Sequence, residues 1–114
     1  MLKTDGEFSR AALMLLLSAV LHIVVIVVSA GGYVMPMLVG AIGWFLIGAG
    51  LQRGLRWLAH IAFLLAMIGA VVALGYAMGA FGLVAMAFWA IVAADLLAAI
   101  LLFGALWRAP TTTA

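Results

Sequence analysis

Four long apolar runs, separated only by short breaks, constrain this chain more than any other feature. The runs cover residues 11–30, 35–51, 57–77 and 83–107, and the breaks contain the segments SAGGY, LQRGLR and AMGAFG. A helix needs about 20 apolar residues to cross the hydrocarbon core of a bilayer, so the chain has room for four crossings. The pattern therefore predicts four transmembrane helices.

Helix is the only secondary structure that these runs can adopt within a bilayer. Backbone N–H and C=O groups must be hydrogen-bonded inside each segment, and four strands cannot close a barrel. The composition agrees, because 71% of the 114 residues are hydrophobic and 7% are charged, whereas soluble domains are about half apolar. We predict an all-α integral membrane protein, in which residues 1–114 form a single membrane domain built as a four-transmembrane-helix antiparallel bundle.

The basic residues lie at the ends of the runs and predict the orientation of the bundle. Short loops that carry lysine or arginine stay in the cytoplasm. In this sequence Lys3 and Arg10 precede the first run. Arg53 and Arg56 lie between the second run and the third, and Arg108 follows the fourth. We therefore expect both termini and the middle loop to be cytoplasmic, in a multi-pass protein of a bacterial inner membrane. Trp57 and Trp107 are expected to anchor the cytoplasmic interface beside these arginines.

The middle loop and the first run each have a second interpretation. Arg53 and Arg56 could bind an anionic lipid headgroup in addition to fixing the topology. The first run, with its charged start and the sequence VSA at 28–30, has features of a secretory signal peptide. It is longer than the usual apolar region of about 7–15 residues, however, and it contains His22. We favour a retained first span, and we predict a short disordered tail at 109–114.

Small residues recur at helical spacing and predict how the helices pack. Lipid gives little hydrophobic drive for helix association, so close contact between small residues has to provide it. The predicted packing surface is formed by Ala62, Ala66, Gly69 and Ala73 on the third run and by Ala90, Ala94 and Ala98 on the fourth, while Gly40, Gly43 and Gly50 share a face of the second. We interpret these stripes as packing rather than as a cofactor groove, and we expect the third and fourth helices to form a close hairpin.

Asp95 is the one acidic residue inside a predicted span. An aspartate at the centre of a membrane helix costs about 2.5–3.5 kcal/mol, so it should face the protein interior or another subunit. Arg108 follows Asp95 by 13 residues and His22 follows Arg10 by 12, distances of roughly 20 Å and 18 Å along a helix. Asp95 and His22 are therefore expected at the same depth, as an intramembrane polar pair.

Three interpretations of this pair remain open. Ser18 and Ser29 share the helix face of His22 and extend the polar stripe. The pair could be a structural interhelical hydrogen bond, worth about 0.6 and up to about 2 kcal/mol. It could instead bind or exchange a proton or cation along the stripe, or it could contact another membrane protein.

We expect no cofactor, no metal and no nucleic-acid partner. The chain has no cysteine, which excludes a thiolate site. His60 lies close to Arg56 and so near the cytoplasmic interface, which makes His22 and His60 a poor axial pair for one haem iron. No pair of possible ligands has the spacing of one helix face. A phosphate-binding loop and a catalytic constellation outside the bilayer are also missing, so we do not expect an enzyme.

The expected function is that of a small non-enzymatic polytopic inner-membrane protein, an accessory or assembly subunit that acts through contacts within the membrane. Its partners would be the lipid bilayer and other membrane-protein subunits, including a second copy of the chain. The alternative is a small oligomeric proton- or cation-coupled transporter or channel that uses the midplane pair of His22 and Asp95.

Overall fold

Four α-helices make up nearly all of the described chain. The computed structural model describes residues 2–107, with side chains from residue 8 onward. The helices are α1 (Leu2–Val28), α2 (Val34–Gln52), α3 (Arg56–Gly79) and α4 (Gly82–Trp107), and residues 2–107 contain no strand. Each helix includes a stretch long and apolar enough to cross a membrane. The predicted anchor Arg108 and the predicted tail 109–114 lie outside the described residues.

The turns that follow α1 and α2 each contain a glycine with a left-handed backbone. Gly31 has φ 86° and donates its N–H to the Ile26 carbonyl at 2.9 Å, and Gly54 has φ 79° and donates to the Leu51 carbonyl at 2.9 Å. Such a residue closes a helix by satisfying its last carbonyls, and glycine does so without steric penalty. The first helix therefore ends at Val28, two residues before the end of the first apolar run. Connections this short make consecutive helices antiparallel.

The helices pack in an uneven ring. α1 packs against α2 and α4, and α3 packs against α4, but α2 and α3 hardly meet. On α3 a ridge of alanines is buried, formed by Ala59, Ala62, Ala66, Ala70, Ala73 and Ala77. Small side chains allow two helix backbones to approach closely, which explains why α3 follows α4 along its length and leaves α2. The gap between α2 and α3 positions the site described below.

The predicted packing residues occupy two environments. Ala62, Ala66, Ala73, Ala94 and Ala98 are buried, whereas Gly69 and Ala90 are half-buried. Ala70 continues the buried ridge of α3 where Gly69 was expected to do so, because Gly69 lies one position round the helix and faces the gap beside α2.

Candidate functional site

A groove of about 440 Å³ runs between α2 and α3. Apolar side chains of both helices line it, and Val39, Ile68 and Val72 at its sides are themselves well exposed. Its floor is formed where α1 and α4 pass behind the gap, and there it includes His22 and Asp95. The groove is therefore an apolar cleft, open on the outer surface of the bundle, with two ionisable residues at its base.

His22 is held in one orientation by its own helix. Its Nδ1 lies 2.6 Å from the backbone carbonyl of Ser18, one turn earlier on α1, and the residue is only 8% exposed. A carbonyl oxygen can only accept a hydrogen bond, so Nδ1 carries the proton and donates it. In the neutral ring Nε2 is then an unprotonated acceptor. The groove thus contains a fixed acceptor at Nε2 of His22.

Gly40 of α2 makes room for this imidazole. A β-carbon added at Gly40 would lie 2.6 Å from Nε2 of His22, a separation that side-chain carbons do not adopt. The backbone of α2 therefore passes directly over the ring, which it could not do with any larger residue at position 40. Close packing and the placement of His22 depend on the same glycine.

Asp95 is buried on α4 without a full set of hydrogen bonds. The residue is 1% exposed, and its Oδ1 has no hydrogen-bond partner among the described residues. The Ser18 hydroxyl lies beside the carboxyl, yet the geometry of a hydrogen bond is not reached, and Ser18 Oγ also has no partner within residues 8–107. Leaving a buried polar group unpaired costs about 1–3 kcal/mol. Such unpartnered buried oxygens are few in native proteins.

The predicted polar pair comes together in one groove, but indirectly. Within residues 8–107 no hydrogen bond or ion pair joins His22 to Asp95, and Ser18 lies between them, with its carbonyl bonded to His22 and its hydroxyl beside Asp95. A direct contact between His22 and Asp95 remains a prediction. Ser29 follows the last residue of α1, where its N–H donates to the Val25 carbonyl at 2.9 Å and its hydroxyl donates to the Ile26 carbonyl at 3.4 Å. Its place in the polar stripe remains a prediction.

Aromatic side chains of the groove were not singled out from the sequence. Trp44, Tyr76 and Phe88 all contribute to its lining. Tyr76 and Phe88 stack with ring centroids 5.0 Å apart, and Tyr33 packs edge-on against both. The spacing along α4 could have indicated Phe88, because it precedes Asp95 by seven residues and therefore shares its helix face.

The opposite end of the bundle, which we call the basic end, is where α1 and α3 begin and α2 and α4 finish. Arg56 donates from Nη2 to the Leu106 carbonyl at 3.4 Å, and its guanidinium lies 5.8 Å from the centre of the Phe8 ring. This arginine therefore joins three helices. All four predicted anchors within the described chain are exposed: Arg53, Arg56, Trp57 and Trp107.

His60 belongs to the basic end and not to the groove. Its ring lies 6.2 Å from that of Trp107, and the groove lining does not include it. Among the described residues no group of three His, Cys, Asp or Glu side chains could hold a metal ion. The two histidines therefore belong to separate environments, one in each half of the bundle.

No protein-family model, curated protein or solved structure matches the chain.

Proposed function

We propose that the four helices insert as transmembrane spans of a bacterial inner membrane, with both termini and the loop at 53–55 in the cytoplasm. The gathering of Arg10, Arg53 and Arg56 at one end of the bundle supports this orientation, since cytoplasmic loops carry the excess of basic residues. The aromatic residues Tyr33 and Tyr76 lie toward the other end, where such rings suit a second interface.

Single-cysteine labelling tests the orientation, because the chain has no cysteine of its own. Phe81→Cys places a thiol in the turn before α4, and Leu55→Cys places one in the turn before α3; both native side chains are exposed. In intact cells a membrane-impermeant maleimide should label position 81 at once and position 55 only after permeabilisation. The reverse pattern would show that the bundle is inverted.

We further propose that the protein is a non-enzymatic accessory or assembly subunit that acts through contacts within the membrane. The observation that carries this proposal is the brevity of the turns at 29–33, 53–55 and 80–81. Within residues 2–107, helix faces make up nearly all of the surface that a partner could contact. Partners would accordingly be lipids, other membrane-protein subunits or a second copy of the chain.

Photo-crosslinking from helix faces tests the accessory role. Leu46 on α2 and Leu97 on α4 are both well exposed and belong to different faces of the bundle. A photoreactive amino acid at each position in turn, followed by extraction in mild detergent and native mass analysis, should give a crosslinked larger complex from at least one face. A chain that crosslinks only to lipid and runs alone would contradict the proposal.

A second candidate function is a small oligomeric proton- or cation-coupled transporter or channel. The observation that favours it is that His22 and Asp95 share one groove and that Asp95 Oδ1 lacks a hydrogen-bond partner among the described residues. Intramembrane ionisable groups that face a cavity commonly serve a proton or ion route. Asp95→Asn should then abolish proton or cation flux in liposomes while the protein still folds. If the unmodified protein carries no flux, this candidate is removed.

A further inference from the structure

The groove has the composition of a binding site for a small molecule rather than that of an incidental packing gap. Its volume of about 440 Å³ falls in the range of ligand pockets, about 300–1,000 Å³, which are mostly apolar with a few convergent polar groups. Its lining includes the Trp44 indole N–H and the Tyr76 hydroxyl, and its floor has the Asp95 carboxyl and the His22 ring, both more than nine-tenths buried. An apolar gap filled only by lipid tails would give neither group a partner.

Charge and hydrogen-bonding capacity specify what the occupant must provide. The described lining of the groove contains one carboxyl, Asp95, and no lysine or arginine. Nε2 of His22 is an acceptor, because Nδ1 donates to the Ser18 carbonyl. Both polar groups at the floor therefore accept hydrogen bonds when Asp95 is ionised. The complementary head group is a cation with N–H donors.

The aromatic lining favours the same chemistry. Trp44 lines the groove near the carboxyl, since a β-carbon at Gly69 would lie 3.5 Å from its Cζ2 and 2.8 Å from Oδ2 of Asp95, and aromatic rings attract ammonium groups. The remaining lining is aliphatic and suits a hydrocarbon body. We propose that the groove between α2 and α3 binds a lipophilic ammonium ion, with its N–H groups on Asp95 and Nε2 of His22 and its apolar body between the two helices.

Binding of an ammonium ion in the groove goes beyond the accessory role and does not require transport. It shares Asp95 with the second candidate function, but binding is measured at equilibrium and flux is not. If the protein binds the ammonium ion but moves no protons or cations, the binding proposal stands and the transport candidate is removed.

Fluorescence of Trp44 provides a direct measurement of occupancy. Trp57, Trp89 and Trp107 are exposed, and replacing all three by phenylalanine leaves Trp44 as the sole tryptophan of the chain. This variant, in lipid nanodiscs, is titrated with a long-chain primary alkylamine that carries bromine, a contact quencher, on its chain. The brominated alcohol of equal chain length and the trimethylammonium analogue, which has no N–H, serve as matched probes. We expect saturable quenching by the amine at a concentration about tenfold below that of either control probe, the ratio that about 1.4 kcal/mol produces.

Two substitutions locate the site. Asp95→Asn should raise the amine concentration needed for half-quenching about tenfold, to that of the alcohol. Gly43→Leu should abolish saturable quenching, because Gly43 lines the groove and has open space where a side chain would project. Gly75→Leu is its control, since Gly75 is equally open and outside the groove lining. If Asp95→Asn does not fold, the comparison of Gly43→Leu with Gly75→Leu still tests the proposed binding.

The outcomes separate the ammonium ion from the other occupants. Equal quenching by all three probes means partitioning into lipid and overturns the proposal, as does saturable amine quenching that survives Gly43→Leu. A third outcome is that the protein is a dimer, that Gly43→Leu converts it to a monomer, and that the amine gives no saturable quenching of Trp44. This outcome assigns the groove to a second copy of the chain and also overturns the proposal. Amine-selective quenching lost with Gly43→Leu and kept with Gly75→Leu supports it.

Discussion

Gly69 of α3 lies directly against the carboxyl of Asp95 on α4. A β-carbon at position 69 would be 2.8 Å from Oδ2 of Asp95 and 3.5 Å from Cζ2 of Trp44 on α2. Three helices therefore converge at a residue with no side chain. Gly69 was expected only to bring two helices together, and in the structure it also leaves the space that the carboxyl of the groove occupies.

Gly69→Ala should destabilise the bundle by forcing Asp95 to move. Overpacking by one methyl group costs about 1–3 kcal/mol, and Asp95, which is 1% exposed, must shift because the added carbon would lie 2.8 Å from its Oδ2. The free energy of unfolding, measured by titration with SDS in mixed micelles, should fall by that amount. Gly75→Ala is the control, because nothing lies within 4 Å of its added carbon. Equal stability of the two variants would contradict the contact at position 69.

The fold was more predictable from the sequence than the groove. Four helices follow from apolar runs of membrane-spanning length, and their existence does not depend on how they pack. The groove depends on which small-residue faces pair. The alanine ridge of α3 joins α4, and Gly40 of α2 allows the expected close approach, to His22 of α1, whereas Gly43 borders an open space. A stripe of small residues does not specify which neighbouring helix packs against it.

Gly40→Ala should displace the imidazole of His22. The added carbon would lie 2.6 Å from Nε2, and the ring cannot simply rotate away without losing the bond from Nδ1 to the Ser18 carbonyl. We expect a loss of about 1–3 kcal/mol in unfolding free energy. In the His22→Ala background the same change at Gly40 should cost at least about 0.5 kcal/mol less. Additive effects in the double-mutant cycle would show that the two residues do not touch.

Ser18→Ala should have little effect on stability. The bond that orients His22 uses the backbone carbonyl of Ser18, which alanine retains, and the Ser18 hydroxyl has no partner among the described residues. Removing a buried hydroxyl that is not hydrogen-bonded is expected to change the unfolding free energy by less than about 1 kcal/mol. A larger loss, abolished in the Asp95→Leu background, would instead show that the hydroxyl bonds to Asp95 in the membrane.

The two arginines of the middle loop should differ in their effect on stability. Arg56→Gln removes the hydrogen bond to the Leu106 carbonyl and the contact with the Phe8 ring, and we expect a loss of about 1 kcal/mol in SDS-induced unfolding. Arg53→Gln removes the same charge from an exposed side chain and should leave the midpoint unchanged. Equal losses would contradict this prediction, because they would mean that the two arginines stabilise the bundle through charge alone and that the contacts of Arg56 add nothing.

Phe88→Leu should weaken the end of the bundle that lies away from the arginines. Phe88 is fully buried, with its ring 5.0 Å from that of Tyr76 and 5.2 Å from that of Tyr33. Aromatic pairs contribute about 0.5–1.5 kcal/mol each beyond the burial of their area, so the loss of both should lower the unfolding free energy by about 1–3 kcal/mol. Phe81→Leu provides the control because Phe81 is 88% exposed, and its cost should be under about 0.5 kcal/mol. Since the contacts of Phe88 join α4 to α3 and to the turn before α2, hydrogen exchange in Phe88→Leu should increase around Tyr33 and Tyr76 and remain unchanged near Arg56; a uniform increase along the chain would contradict a local role.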